Sequence, residues 1–174
     1  MPPPAEPAPL DAPIAPITGD TLAWALPELT TFATVLSVEV LWEAMVAGHD
    51  GWYRPREQRI AINTAMSVDQ QAAAVVHELA HALVDLDRHG EDPAMDYAME
   101  ELVAESVAHV VCGFVGLDTS GNSIPYLAAW RESTAADAFE RVAGLVDRLA
   151  RRLEDALDPS GDEAVGTAPV SAAG

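Results

Sequence analysis

Apolar residues recur at helical spacing along most of this chain and alternate in only one short stretch. QQAAAVVHELAHALVDL is built from strong helix formers and holds neither Gly nor Pro, which predicts a helix from 68 to about 86. Ser67-Val68-Asp69-Gln70 fits a capping box at its start, with Gln70 three residues beyond the Ser. AMDYAMEELVAESVAHVVCGFVG predicts a second helix that stops near Gly116. Phe139, Val142, Val146, Leu149, Leu153 and Leu157 form the apolar stripe of a last helix, capped within Thr134–Asp137. That stripe is read as packing onto the core rather than as a partner surface.

The earlier part of the chain is less regular. LPELTTFATVLSVEVLWEAMVAG predicts one helix followed by Gly48, although its β-branched residues weaken the pattern. GHDGWYRP is turn-rich. RIAIN alternates, with Ile60 and Ile62 on one face, and predicts a short strand. DRHGEDP reads as a loop and IPYLAAW as a short helix ending near Trp130. Residues 1–18 and 159–174, rich in Pro, Ala, Gly and acidic residues, are expected to be disordered tails around a folded domain at 19–158.

Composition narrows the function. The chain of 174 residues is 49% hydrophobic, enough for one domain with its own core. Its net charge of −19 repels phosphates, so no direct binding to nucleic acid is expected. One cysteine, Cys112, allows no internal disulfide and is read as a buried apolar filler. MPPPAEPAP lacks the features of a secretory signal, and the most apolar early stretch carries Glu39 and Glu43. The expected location is therefore the cytoplasm, with no membrane partner. Trp24, Trp42, Trp52 and Trp130 are expected to anchor the core.

The chemistry lies in HELAH, residues 77–81. Four helical residues turn through roughly 400°, so His77 and His81 stand almost above one another and reach one ion. Glu78 is about 100° round the helix, badly placed as a ligand but able to accept a proton from water on the ion. This is the arrangement of a zinc hydrolase, with Glu78 as general base. Two histidines and a carboxylate in an apolar helix are costly unless paired or metal-bound.

A catalytic zinc needs a third protein ligand. The pattern H-E-x-x-H-x-x-G-x-x-H fails, because Val84 stands at the Gly position, Asp87 at the last one, and His89 comes two residues late. Asp85 and Asp87 are better read as a solvated helix end. MEELVAES offers Glu101, twenty residues beyond His81, and Glu105 on the same face one turn later. One of these carboxylates can bind zinc while the other supports a ligating His through its free ring N–H. Glu100, about 100° from Glu101, is assigned to solvent. The pair resembles the gluzincin pattern, which makes Glu101 the ligand and Glu105 its support; the exchanged assignment is the competing one.

RIAIN, AAVVHELAHALV, EELVAESVAHVVCGFVGLDTS and YLAAW together resemble the zincin domain of ImmA/IrrE-type metallo-endopeptidases. They are nearest to the metallopeptidase half of ArdC-like antirestriction proteins, over about residues 50–132. The resemblance implies an α+β, mostly helical zincin fold with a small sheet. It implies Zn²⁺ held by His77, His81 and a glutamate of EELVAES, with Glu78 as base. It also implies a peptide or protein substrate lying along RIAIN as an edge strand. The chain departs from many relatives at His109, where they carry an aromatic residue. The single-stranded-DNA-binding domain of ArdC-like proteins is not carried over.

The developing oxyanion needs a stabiliser, for which Tyr53, Tyr97, His109 and Tyr126 are candidates. His109, one turn beyond Glu105, is the first choice as a catalytic residue. The expected function is hydrolysis of a peptide bond, with a transcriptional repressor as one candidate substrate. The rival is an acidic, non-enzymatic binding or DNA-mimic protein with a closed structural zinc site.

Overall fold

The computed structural model describes residues 16–87, 95–121, 123 and 136–158. The expected tails, the 88–94 loop with His89, IPYLAAW with Tyr126 and Trp130, and the cap before the last helix fall wholly or largely outside these residues. Helix α1 spans Ala25–Val35 and is followed by strands β1 (Glu39–Glu43), β2 (Gly51–Arg54) and β3 (Arg59–Asn63). Helices α2 (Val68–Asp87), α3 (Tyr97–Phe114) and α4 (Ala136–Leu157) complete the described elements. This is the expected α+β class, helix-rich with one small sheet.

The sheet has the order β1-β3-β2. Strand β1 runs parallel to β3, with Val40 opposite Ile60 and Trp42 opposite Ile62. Strand β2 runs antiparallel to β3, with Gly51 opposite Ile62 and Tyr53 opposite Ile60. RIAIN is therefore the central strand, not the edge, and Ile60, Ala61 and Ile62 are fully buried. GHDGWYRP is not turn throughout, since half of it is β2.

The single helix expected over 26–48 is instead a helix and a strand. Ser37 adopts φ 61°, and the Ser37 and Val38 N–H groups donate to the Thr34 and Ala33 carbonyls at 2.9 Å each. These two bonds satisfy the last carbonyls of α1 in the left-handed closure usually made by Gly. Val38 packs inward behind it, and Glu39–Glu43 emerge extended against β3. The β-branched and aromatic residues of SVEVLW suit that strand.

Helix α2 is the centre of the domain and packs against α1, α3, β2 and β3. Ser67 Oγ accepts from the Gln70 N–H at 3.2 Å, as the capping box predicts. The reciprocal bond is missing, because the Gln70 side chain donates to Asp50 and accepts from the Ile17 N–H. Ser67 Oγ also donates to the Ile17 carbonyl at 2.8 Å, so a residue assigned to the tail is tied to the helix start. Asp69, 2% exposed, accepts from the Leu22 N–H at 2.7 Å and from Thr21 Oγ1 at 2.9 Å.

Helix α3 is capped by Asp96, whose carboxylate accepts from the Met99 N–H at 2.8 Å, and it closes at Gly116 with φ 84°. The α4 stripe packs inward: Val142, Val146, Leu149, Leu153 and Leu157 are buried, and α4 lies on α3 and α1. Arg152 ties α4 to the end of α2 through Asp87 at 3.0 Å. Cys112 is buried, and burial pushes its thiol up to about 12. Trp24 and Trp42 are not core anchors; they are 45% and 39% exposed, and Arg54 lies over the Trp52 ring. None of the described helices is long and apolar enough to cross a membrane.

Candidate metal centre

Helix α2 presents His77 and His81 from successive turns to the first half of α3. Their Nε2 atoms are 3.2 Å apart. The Glu101 carboxylate spans both, with Oε1 3.3 Å from His81 Nε2 and Oε2 3.6 Å from His77 Nε2. Two ligands about 2.0–2.1 Å from a tetrahedral ion lie roughly 3.3 Å apart. The two Nε2 atoms stand at about that spacing, a different Glu101 oxygen faces each of them at similar range, and two imidazoles with a carboxylate suit a divalent metal. Among the described residues this is the one group of three such donors.

The opposite ring nitrogens are held as well. His81 Nδ1 is 3.1 Å from Glu100 Oε1, and His77 Nδ1 is 3.4 Å from Glu105 Oε2. The later histidine meets the earlier glutamate, so α2 and α3 pass in opposite directions here. Glu105 thus sits behind His77, away from the side on which Glu101 joins the two Nε2 atoms. Glu100 is not solvated as expected. The 100° that separates it from Glu101 turns it toward His81, a consequence of how α3 crosses α2. In the pattern seen at metal sites, such carboxylates accept the Nδ1–H and leave Nε2 facing the ion.

Burial alone would raise the Glu101 carboxyl, but its bonds from His77 and His81 outweigh it and hold Glu101 well below the usual carboxylate range. Burial alone would lower His77, but Glu101 and Glu105 reverse the sign and push it up to about 10. His81 behaves likewise under Glu100 and Glu101 and reaches about 9. Glu105 is lowered overall, its burial being offset by His77 and Ser123. Glu78 is raised, chiefly by burial, although His77 and His81 pull it down.

Glu78 is buried beside the start of β2, where a Cβ placed on Gly51 would meet its Cγ at 3.3 Å. Tyr53 donates its hydroxyl to Asp85 at 3.0 Å and is raised by burial and that bond. Asp87 is paired with Arg152, so neither aspartate joins the donor group. Val84 is buried within continuous helix, as the failed return pattern requires. Tyr97 is 72% exposed at the start of α3. His109 makes its bond to Thr119 Oγ1 at 2.9 Å and reaches the donor group only through other side chains. Ser123, which donates to Glu105 Oε1 at 2.6 Å, carries no sequence signal at all.

A helix with two histidines one turn apart, completed by a carboxylate from an antiparallel helix beside a small sheet, defines a zincin-type metal site. A model of the zincin-like metallopeptidase family (MPTase-PolyVal) matches residues 33–142, and the chain belongs to that family. A stretch of 77 residues is 34% identical to an uncharacterized protein of Bacillus anthracis, covering 43% of this chain and 12% of that one. The fold is similar to the antirestriction ArdC protein from the R388 plasmid. Its Mn(II)-bound crystal structure gives a TM-score of 0.56 at 22% identity over 76% of this chain and 53% of that one. The metal-free ArdC structure gives 0.53 at 22% identity over 83% and 53%. The chain thus spans about half of ArdC and a small part of the Bacillus protein.

Proposed function

We propose that the protein is a zinc-dependent endopeptidase of the ImmA/IrrE type that cuts a peptide bond in a specific regulatory protein. The observation that carries this reading is the convergence of His77 Nε2, His81 Nε2 and the Glu101 carboxylate on one point, with Glu78 alongside. When bound, zinc supplies Lewis-acid polarisation of the scissile carbonyl and a water of lowered pKa. His77, His81 and Glu101 hold the ion, and Glu105 and Glu100 fix the two rings. Glu78 takes the proton of the attacking water and returns it to the leaving amine. Its raised carboxyl suits a group that must both accept and release a proton.

The substrate lies along β2 rather than β3. Strand β2 is an edge of the described sheet and begins against Glu78, so a peptide paired to it runs past the base. Three protein donors leave a position open for water and substrate, whereas the non-enzymatic alternative requires a fourth protein donor. The test is zinc stoichiometry with cleavage of candidate repressors. Wild type is expected to bind one zinc, Glu101→Ala to lose it, and Glu78→Gln to keep it and lose cleavage. Full cleavage by Glu78→Gln removes Glu78 as the base. Retention of zinc by Glu101→Ala together with its loss in Glu105→Ala exchanges the two glutamates.

A further inference from the structure

The Glu105 carboxylate serves two partners at once. Its Oε2 faces His77 Nδ1, and its Oε1 accepts from Ser123 Oγ at 2.6 Å, a short charge-assisted bond. Ser123 is 2% exposed, and Thr119, whose Oγ1 lies 3.4 Å from Ser123 Oγ, is 5% exposed. Thr119 Oγ1 is in turn 2.9 Å from Nδ1 of half-buried His109. Buried hydroxyls are costly unless paired; Ser123 pairs with the Glu105 carboxylate and Thr119 with His109.

An ionised carboxylate only accepts, which fixes the direction of the bonds made to it: Ser123 donates to one Glu105 oxygen, and the His77 Nδ1–H faces the other. Thr119 Oγ1 stands 3.4 Å behind Ser123 Oγ and bonds His109 Nδ1 at 2.9 Å. Ser123 and His77 thus face the Glu105 carboxylate directly, with Thr119 and His109 standing behind Ser123.

We propose that Ser123, supported by Thr119, is a positioning residue of the metal centre: it fixes Glu105, and Glu105 fixes the His77 ring. His109 is the outer end of this chain and acts through Thr119 rather than on the reacting atoms. The inference rests on the metal-centre reading, and its test separates the two. Zinc affinity is measured by competition with a chromophoric chelator, and folding by far-UV circular dichroism of the metal-free protein. S123A is expected to fold and to bind zinc about ten- to a hundredfold more weakly, as for other partners of ligating histidines. T119V is expected to weaken binding less, and T119S, which keeps the hydroxyl, to match wild type. In an E105A background S123A is expected to add nothing, because its route to His77 is gone.

Wild-type affinity in S123A overturns the inference and leaves the metal centre standing. Equal losses from S123A with and without Glu105 show a merely structural effect and also overturn it. If S123A does not fold, T119V and T119S decide, and equal affinities in the two overturn it. Absence of zinc uptake by wild type overturns both readings.

Discussion

Replacing Asp69 with Ala removes the carboxylate that fastens the segment before α1 to the first turn of α2. Asp69 is 2% exposed and accepts from the Leu22 N–H at 2.7 Å and from Thr21 Oγ1 at 2.9 Å. A hydrogen bond to a charged acceptor contributes about 1.5–3 kcal/mol, so the two together give roughly 3–6 kcal/mol. For a chain of this size each kcal/mol lowers Tm by about 2–4 °C, giving a fall of roughly 6–24 °C. Asp69→Asn is milder, at about 1–2 kcal/mol, because its amide oxygen still accepts from Leu22 while the Thr21 hydroxyl rotates to accept from the amide. The assay is urea and thermal unfolding of the metal-free protein, with zinc affinity measured in parallel. Affinity should hold in the folded variants, since Asp69 lies eight residues, about 12 Å of helix, before His77. An Asp69→Ala protein within about 1 kcal/mol of wild type, or no worse than Asp69→Asn, refutes this account of the buried carboxylate.

Two further outcomes follow from the site. Gly51→Ala places a Cβ 2.8 Å from the Ala61 carbonyl oxygen and 3.3 Å from Glu78 Cγ; the backbone contact has little room to yield. Overpacking of about 1–3 kcal/mol is expected in urea melts, with slower peptide cleavage from a displaced Glu78 and zinc still bound; unchanged melts and rates count against the close approach of β2. Burial lowers His77 and His81, but Glu101 and Glu105 on the first ring and Glu100 and Glu101 on the second outweigh it, to about 10 and about 9, so the metal-free pair holds its protons more tightly than free imidazoles do. Their contribution to its stability is full below the ordinary value near 6.5 and is lost as pH rises through 9–10, whereas zinc uptake strengthens over the same rise. Calorimetry at pH 7.5 in buffers of different ionisation enthalpy should show clearly more proton release per zinc than the about 0.2 expected from two ordinary histidines; release at that ordinary level refutes the raised pair.

The sequence made part of this centre legible because part of it is periodic. His77 and His81 lie one turn apart on a helix whose residues admit no other structure, and Glu101 and Glu105 repeat that spacing on the next helix. What stayed hidden depends on the crossing of α2 and α3. Nothing in MEELVAES says which face of α3 meets α2, so Glu100 looked solvated although it holds His81. Ser123 reaches Glu105 across 18 residues, and Leu22 reaches Asp69 across 47, distances that no local pattern spans. The first strand was missed for a different reason. Ser37 closes α1 in a conformation where Gly is the usual signal, so the pattern read straight through the turn. Strand β2 was masked by Gly and Pro residues at its ends.

Every donor to the centre comes from α2 or α3, and each helix contributes groups that the other leaves incomplete. An ion held there is therefore a staple across the helix pair as well as a reagent. Ligand bound only to the folded chain stabilises it by about 2.7 kcal/mol at a hundredfold excess over Kd. On that reading metal supply would set the persistence of the fold as well as the chemistry, and one loss of the ion would take away the reagent and loosen the two helices together.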